Sequence, residues 1–181
     1  MKRYLLVEGR TDLAFVKALC TDMHVDQDER IQIIDIGGLG ALKGRLEAMS
    51  PELERGEKIA VVLDADNNYA KRKEEIVSII AGKEIPFFLI PNGWDAGNLE
   101  TLLLSTIDDH VILSCFDEYT ACLKSEGMDT STVDDKAKLY AYTKIALGET
   151  PEKSFEDEGN WNFEHPNFQN IKQFLSDFFA A

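Results

Sequence analysis

Ile59-Ala60-Val61-Val62-Leu63-Asp64-Ala65-Asp66-Asn67-Asn68 is a short apolar run that stops at two aspartates and passes into two asparagines. An unbroken apolar run of this length, bounded by polar turn formers, reads as a strand buried on both faces, the kind found in parallel sheets. The asparagines open a helix through about Ala81, apolar at Ile76, Ile79 and Ile80. Ile85-Pro86-Phe87-Phe88-Leu89-Ile90 follows as another strand, ended by Pro91-Asn92-Gly93. Strand, helix and strand at this spacing make a βαβ unit.

The same grammar extends upstream. Leu5 to Val7 is an apolar run ending at Glu8-Gly9-Arg10-Thr11-Asp12. Thr11 is read as the N-cap of a helix over about 12–22, with Leu13, Phe15-Val16, Leu19-Cys20 and Met23 at helical spacing. Ile31 to Ile36 is a strand closed by Gly37-Gly38, and Leu39 to Met49 is helical, with Pro51 and Gly56 marking the next loop. The fold class is therefore α/β: a four-stranded, mainly parallel sheet with right-handed crossovers and helices on both faces. After residue 97 the pattern changes. Helices are expected over about 98–105, 109–126, 133–147 and 167–180. Between the last two lies an acidic, aromatic, irregular stretch, 148–166, which Trp161 and Phe163 anchor to the core. The division expected is an α/β core over 1–105 and a helical extension over 106–181, packed on that core.

With 33 acids against 19 lysines and arginines, the net charge of −14 counts against a general polyanion binder. The imbalance is uneven. Residues 1–106 hold 18 acids and 13 bases, and residues 107–181 hold 15 and 6, so bases concentrate where the strand-end motifs lie. Bound cations would neutralise several of those acids. No apolar run approaches the roughly 20 residues a membrane helix needs, and the run after Met1-Lys2-Arg3 is too short for a signal-peptide core, so a cytoplasmic location is expected. Cys20, Cys115 and Cys122, without Cys-x-x-Cys spacing or a nearby histidine, read as reduced, packed thiols rather than a zinc site.

In open α/β sheets ligands bind outside the carboxyl ends of the strands. Glu8 follows the first strand, and Asp64 and Asp66 end the third. If those strands are neighbours, three carboxylates meet, a costly cluster unless a cation is present or a proton is held. Mg²⁺ suits it, because it takes oxygen ligands, keeps waters and accepts substrate phosphates. Glu8 and Asp66 are then expected within about 8 Å, close enough to share a metal with its waters. Asp12, one helical turn after Glu8, can face the same cavity. Asp35 should point away from the strand end and reads as structural.

Val7-Glu8-Gly9-Arg10-Thr11-Asp12, Ile36-Gly37-Gly38 and Leu63-Asp64-Ala65-Asp66, in that order and each ending a strand, together resemble the Toprim domain over roughly residues 1–105. The chain is most similar to stand-alone Toprim-like proteins of uncharacterised function, with OLD-family nucleases as relatives. The resemblance implies that Glu8 is a metal ligand or general acid/base and that Asp64 and Asp66 bind Mg²⁺ or Mn²⁺. It adds Asp12 as an OLD-type metal acid and Glu100, in Gly97-Asn98-Leu99-Glu100, as a further metal candidate. It implies a nuclease or phosphodiester-transfer enzyme acting on DNA or RNA, in which two metals clamp an in-line attack. No topoisomerase gate, primase-type zinc motif or Gly-x-x-x-x-Gly-Lys-Ser/Thr signature accompanies it. Substrate grip would then come from Arg10, Lys43, Arg45 and the Lys71-Arg72-Lys73 run, or from a partner protein.

Plainer readings stand beside these. Glu8 and Asp12 are also acids favoured at a helix start, Asp64 and Asp66 also suit a turn, and Glu100 also suits a solvated helix. Gly37 and Gly38 either cradle a phosphate or simply turn the chain. Lys71-Arg72-Lys73 reads first as a solvated helix face. Trp94 either stacks on a base or, more simply, packs, and His24, His110 and His165 read as structural or surface residues. Two other functions stay open: a non-catalytic nucleic-acid or nucleotide-binding module in a larger defence or repair assembly, and an interaction protein whose acidic tail meets a basic partner.

Overall fold

β1 (Arg3–Val7) is buried at all five positions, as a strand covered on both faces must be. The structure, a computed structural model, describes residues 1–25, 28–108 and 110–180. After β1 come α1 (Arg10–Asp22), β2 (Ile31–Asp35), α2 (Leu39–Ala48), α3 (Ser50–Glu54), β3 (Lys58–Asp64), α4 (Tyr69–Ile80) and β4 (Phe87–Ile90). The four strands form one sheet in the order β2-β1-β3-β4, and every pair is parallel. β1 and β3 are therefore neighbours, in a register that sets Val7 beside Val62.

Side-chain alternation divides the core between the two faces. Leu5 and Val7 of β1, with Ala60 and Val62 of β3, face the cluster that α1 supplies through Phe15, Val16 and Leu19. Leu6, Val61 and Leu63 face the opposite cluster, built with Leu42 and Leu46 of α2 and Ile76 of α4. The tail completes the first face. α5 (Leu99–Leu104), α6 (Val111–Ser125), α7 (Asp135–Tyr142) and α8 (Gln169–Ala180) follow β4, and α7 runs on into a π-helical turn at Thr143–Leu147. Ile171, Leu175 and Phe178 of α8 enter the same cluster as Phe15. The segment between α7 and α8 is held there by Trp161, whose indole N–H donates to Ser154 Oγ at 2.9 Å, and by Phe163, whose ring lies 6.3 Å from that of Phe15.

Several expectations change. α1 begins at Arg10 with Gly9 as its N-cap, and the Thr11 hydroxyl instead donates to Glu152 Oε1 at 3.0 Å. The stretch around Pro51 is a one-turn helix, because proline at a first helical position lacks only an N–H that would be unpaired anyway. Cys20 is buried, but Cys115 and Cys122 are exposed, since α6 buries none of its residues. Trp94 is 59% exposed, so it does not pack. His110 and His165 are structural, each accepting a backbone N–H two residues on. Asp109, where the sequence starts its second tail helix, lies outside the described residues. Among the described residues no helix is long and apolar enough to cross a membrane.

Candidate metal centre

The strand order brings the carboxyl ends of β1 and β3 together, and their acids follow. Glu8 Oε2 accepts the backbone N–H of Asp64 at 3.1 Å. Asp64 continues the parity of Ala60 and Val62, so it faces the α1 side of the sheet, where Asp12 projects from the first turn of that helix. α5 closes the site from beyond β4. Asn98 caps that helix, accepting from Thr101 N at 2.9 Å, and Leu99 N–H donates to Asp64 Oδ1 at 3.0 Å. The next residue is Glu100. Glu8, Asp12, Asp64 and Glu100 thus act on one another electrostatically.

That crowding shows in their protonation. Burial, reinforced by the charges of Glu8 and Glu100 and opposed by backbone N–H groups, pushes Asp12 up to about 7. Burial again leads for Asp64, and Asp12, Glu8 and Glu100 add to it, pushing it up to about 8. Asp12 is only 7% exposed, and its Oδ1 is buried without a hydrogen-bond partner. An orphaned carboxyl oxygen among mutually repelling acids suits a cation or a retained proton. The donor set is all hard oxygen, so these residues fit Mg²⁺ or Mn²⁺. Among the described residues no three histidine, cysteine or acidic side chains already stand as a ligand set. Carboxylates that repel one another are expected to close to ligand distance only around a charge.

Asp66 behaves differently from the others. Its φ of 51° is left-handed, and its side chain is 54% exposed. It pairs with Arg72 of α4, and the same Nη2 atom lies 3.9 Å from Glu8 Oε1. Two contacts on one nitrogen keep the Glu8 and Asp66 oxygens within about 8 Å. From the sequence Arg72 is read only within the Lys71-Arg72-Lys73 run, as substrate grip or a solvated face, and not as a partner of these acids. Its side chain is 12% exposed, so it is no solvated face, although Lys71 beside it is. The available signal was distance along the chain: Arg72 sits one turn past the helix cap Asn68, near enough to reach back over Asp66.

The remaining candidates make no side-chain contact to the acids among the described residues. Gly37 and Gly38 have φ of 73° and 101°, and Gly38 N–H donates to Glu8 O at 2.8 Å, so they turn the chain behind the site. Asp35 accepts from Gly37 N–H and is structural. Lys43 is exposed on α2. Arg10 lines a groove of about 1140 Å³ between α1 and the segment carrying Glu152, Phe155 and Trp161.

Gly97 secures the far wall. Its N–H donates to Asp66 O at 2.7 Å, its φ is +141°, and an added Cβ would sit 3.1 Å from Pro91 Cδ. Gly97→Ala is expected to cost about 1–3 kcal/mol, read as a lower urea midpoint at unchanged m value. An unchanged midpoint would show that this turn relaxes freely.

The fold is shared with known structures. The C-terminal region of the Xanthomonas campestris pv. campestris OLD protein superposes with a TM-score of 0.53 at 16% identity, covering 99% of this chain and 98% of that one. The C-terminal region of the Burkholderia pseudomallei OLD protein does so with a TM-score of 0.51 at 14% identity, covering 97% of each. At these identities the likeness concerns the fold. No curated protein matches the sequence. From residue 2 to residue 180 the sequence fits one family model, and the chain belongs to that family, described as Protein of unknown function (DUF3226).

Proposed function

We propose that the chain is a Mg²⁺- or Mn²⁺-dependent nuclease of Toprim type, acting on phosphodiesters of DNA or RNA. The observation that carries this reading is the buried, unpartnered Asp12 Oδ1 beside Glu8, Asp64 and Glu100. Backbone N–H groups reach the Asp12 carboxyl but not Oδ1, and a purely structural acid would not leave a buried oxygen unpaired. The sequence resemblance to OLD-family nucleases and the OLD-like fold support the same chemistry. Asp12, Asp64 and Glu100 would hold one metal, and Glu8 and Asp66 would share a second position at the strand ends. When bound, the metal supplies neutralisation of the phosphate and activation of water. Glu8 would serve as a metal ligand or as the general acid/base. Leu99 N–H fixes one oxygen of Asp64 and leaves the other for the metal. The exposed cations Arg10, Lys43, Lys71 and Lys73 would follow the backbone of the nucleic acid.

One observation favours the second reading, a non-catalytic nucleic-acid or nucleotide-binding module of a larger assembly. Arg72 pairs with both Glu8 and Asp66, so the protein itself supplies a cation at these two acids. Incubation with DNA and with RNA in Mn²⁺ separates the two. Cleavage that falls about 10³-fold or more in Asp64→Ala supports the enzyme. Cleavage that survives the substitution unchanged belongs to a contaminant. Binding without cleavage selects the module.

A further inference from the structure

Arg72 is placed as an ion would be. Its guanidinium lies between the carboxylates of Glu8 and Asp66, its side chain is 12% exposed, and both contacts converge on one nitrogen. A partly buried arginine on a helix beside a strand end commonly has several acceptors to satisfy its five donors. Those given for Arg72 are two acids that end neighbouring strands. The pair Glu8 and Asp66 therefore shares one protein cation, while Asp12 keeps a buried carboxyl oxygen with no partner. The centre thus has an unequal pair of positions. One is an acid pocket with an orphaned oxygen; the other carries a cation supplied by the protein itself.

We infer that Arg72 is a built-in competitor for divalent metal at the Glu8–Asp66 position, so that this position fills only when the guanidinium is displaced. The inference rests on the metal reading above and deepens it. A divalent ion held by both Glu8 and Asp66 would stand where the guanidinium stands, and two cations cannot share so small a space without strong repulsion. Binding there must cost the energy of the Arg72 contacts. The first position, formed by Asp12, Asp64 and Glu100, bears no such cost. The displaced guanidinium, still tethered to α4 beside the strand ends, is left with open donors suited to a phosphate oxygen. Arg72 is accordingly a positioning residue, acting through Glu8 and Asp66.

Calorimetric titration with Mn²⁺ alone tests this without any activity readout. Arg72→Gln is expected to tighten binding at the weaker site about tenfold. The same substitution in an Asp66→Asn background should change it less than about twofold, because the closer of the two contacts it relieves is already gone. Equal tightening in both backgrounds would mean simple through-space repulsion and would overturn the inference. So would unchanged affinity in Arg72→Gln while Asp64→Asn loses Mn²⁺, an outcome that leaves the metal centre standing and removes only the competitor. Absence of Mn²⁺ binding from the wild type and from Arg72→Gln alike would overturn both. Arg72→Lys, which keeps the charge and the helix, guards against misfolding. It should bind Mn²⁺ with an affinity between those of the wild type and Arg72→Gln, and a value outside that interval counts against competition.

Discussion

Asp64→Asn is expected to raise the melting temperature of the metal-free protein at pH 8 and to abolish the rise that Mn²⁺ should produce in the wild type. The carboxyl of Asp64 is pushed up to about 8, chiefly by burial and then by Asp12, Glu8 and Glu100. In the unfolded chain it titrates near 4. Between those values the folded state holds a proton that the unfolded state has released, so stability falls as pH rises. The contribution of Asp64 is complete below about pH 4 and is lost by the time pH passes about 8. Asp12, pushed up to about 7, adds loss over the lower part of the same window. Asparagine imitates the protonated acid and keeps an oxygen for the Leu99 N–H. With the shift shared among coupled acids, a gain of about 1–3 kcal/mol at pH 8 is reasonable. For a chain of this length that is roughly 3–10 °C. Melts in metal-free buffer from pH 5 to pH 8.5 check it. The wild type should decline across the range and Asp64→Asn should decline less. A mutant that melts lower than the wild type at every pH would mean that Asp64 is a structural acid.

A metal bound as proposed would invert the sign of that pH dependence. Its ligands must be deprotonated, so affinity rises with pH through about 7 to 8 and binding releases protons. Wild-type protein saturated with Mn²⁺ should therefore gain most melting temperature where the metal-free protein is weakest.

The sheet was legible because its strands are buried on both faces, and β1 and β3 are little more than apolar runs. The meeting of Glu8 with Asp64 was legible only as a condition, since neighbouring strands follow from topology and not from either motif. Glu100 came from resemblance; what brings it in is Asn98 capping α5 and Gly97 locking the turn before it. Asp66 could not be separated from Asp64 by spacing, because the difference is a left-handed backbone that turns one acid outward. Arg72 was hidden in a basic run, since periodicity describes where a Cβ points and a long side chain can fold back past it. α6 misled in the opposite sense. Its apolar residues suggested a packed helix, but Val111 is 68% and Tyr119 58% exposed, and Cys115 and Cys122 go with them.

Phe168→Ala is expected to destabilise the whole chain by about 3–5 kcal/mol. Phe168 is fully buried, with its ring 5.8 Å from Phe15 and 5.4 Å from Phe163. It thus ties the entry of α8 to α1 and to the irregular segment before it. Ile171 and Leu175 of α8 then cover the face that Leu5, Val7, Ala60 and Val62 present. If residues 106–181 form an extension that packs on the core, that face has no other cover on the α8 side, and a chain ending at 105 would expose it to water. Calorimetry should then show one transition for the wild type and one, shifted down by roughly 8–15 °C, for Phe168→Ala. Two transitions, with the substitution moving only one, would make 106–181 a unit that folds by itself. A single shifted transition would instead make the division at 105/106 one of sequence pattern rather than of folding. The metal response would then fall with Phe168 as well, since Asp12 is held by the same α1 that Phe15 anchors to the tail.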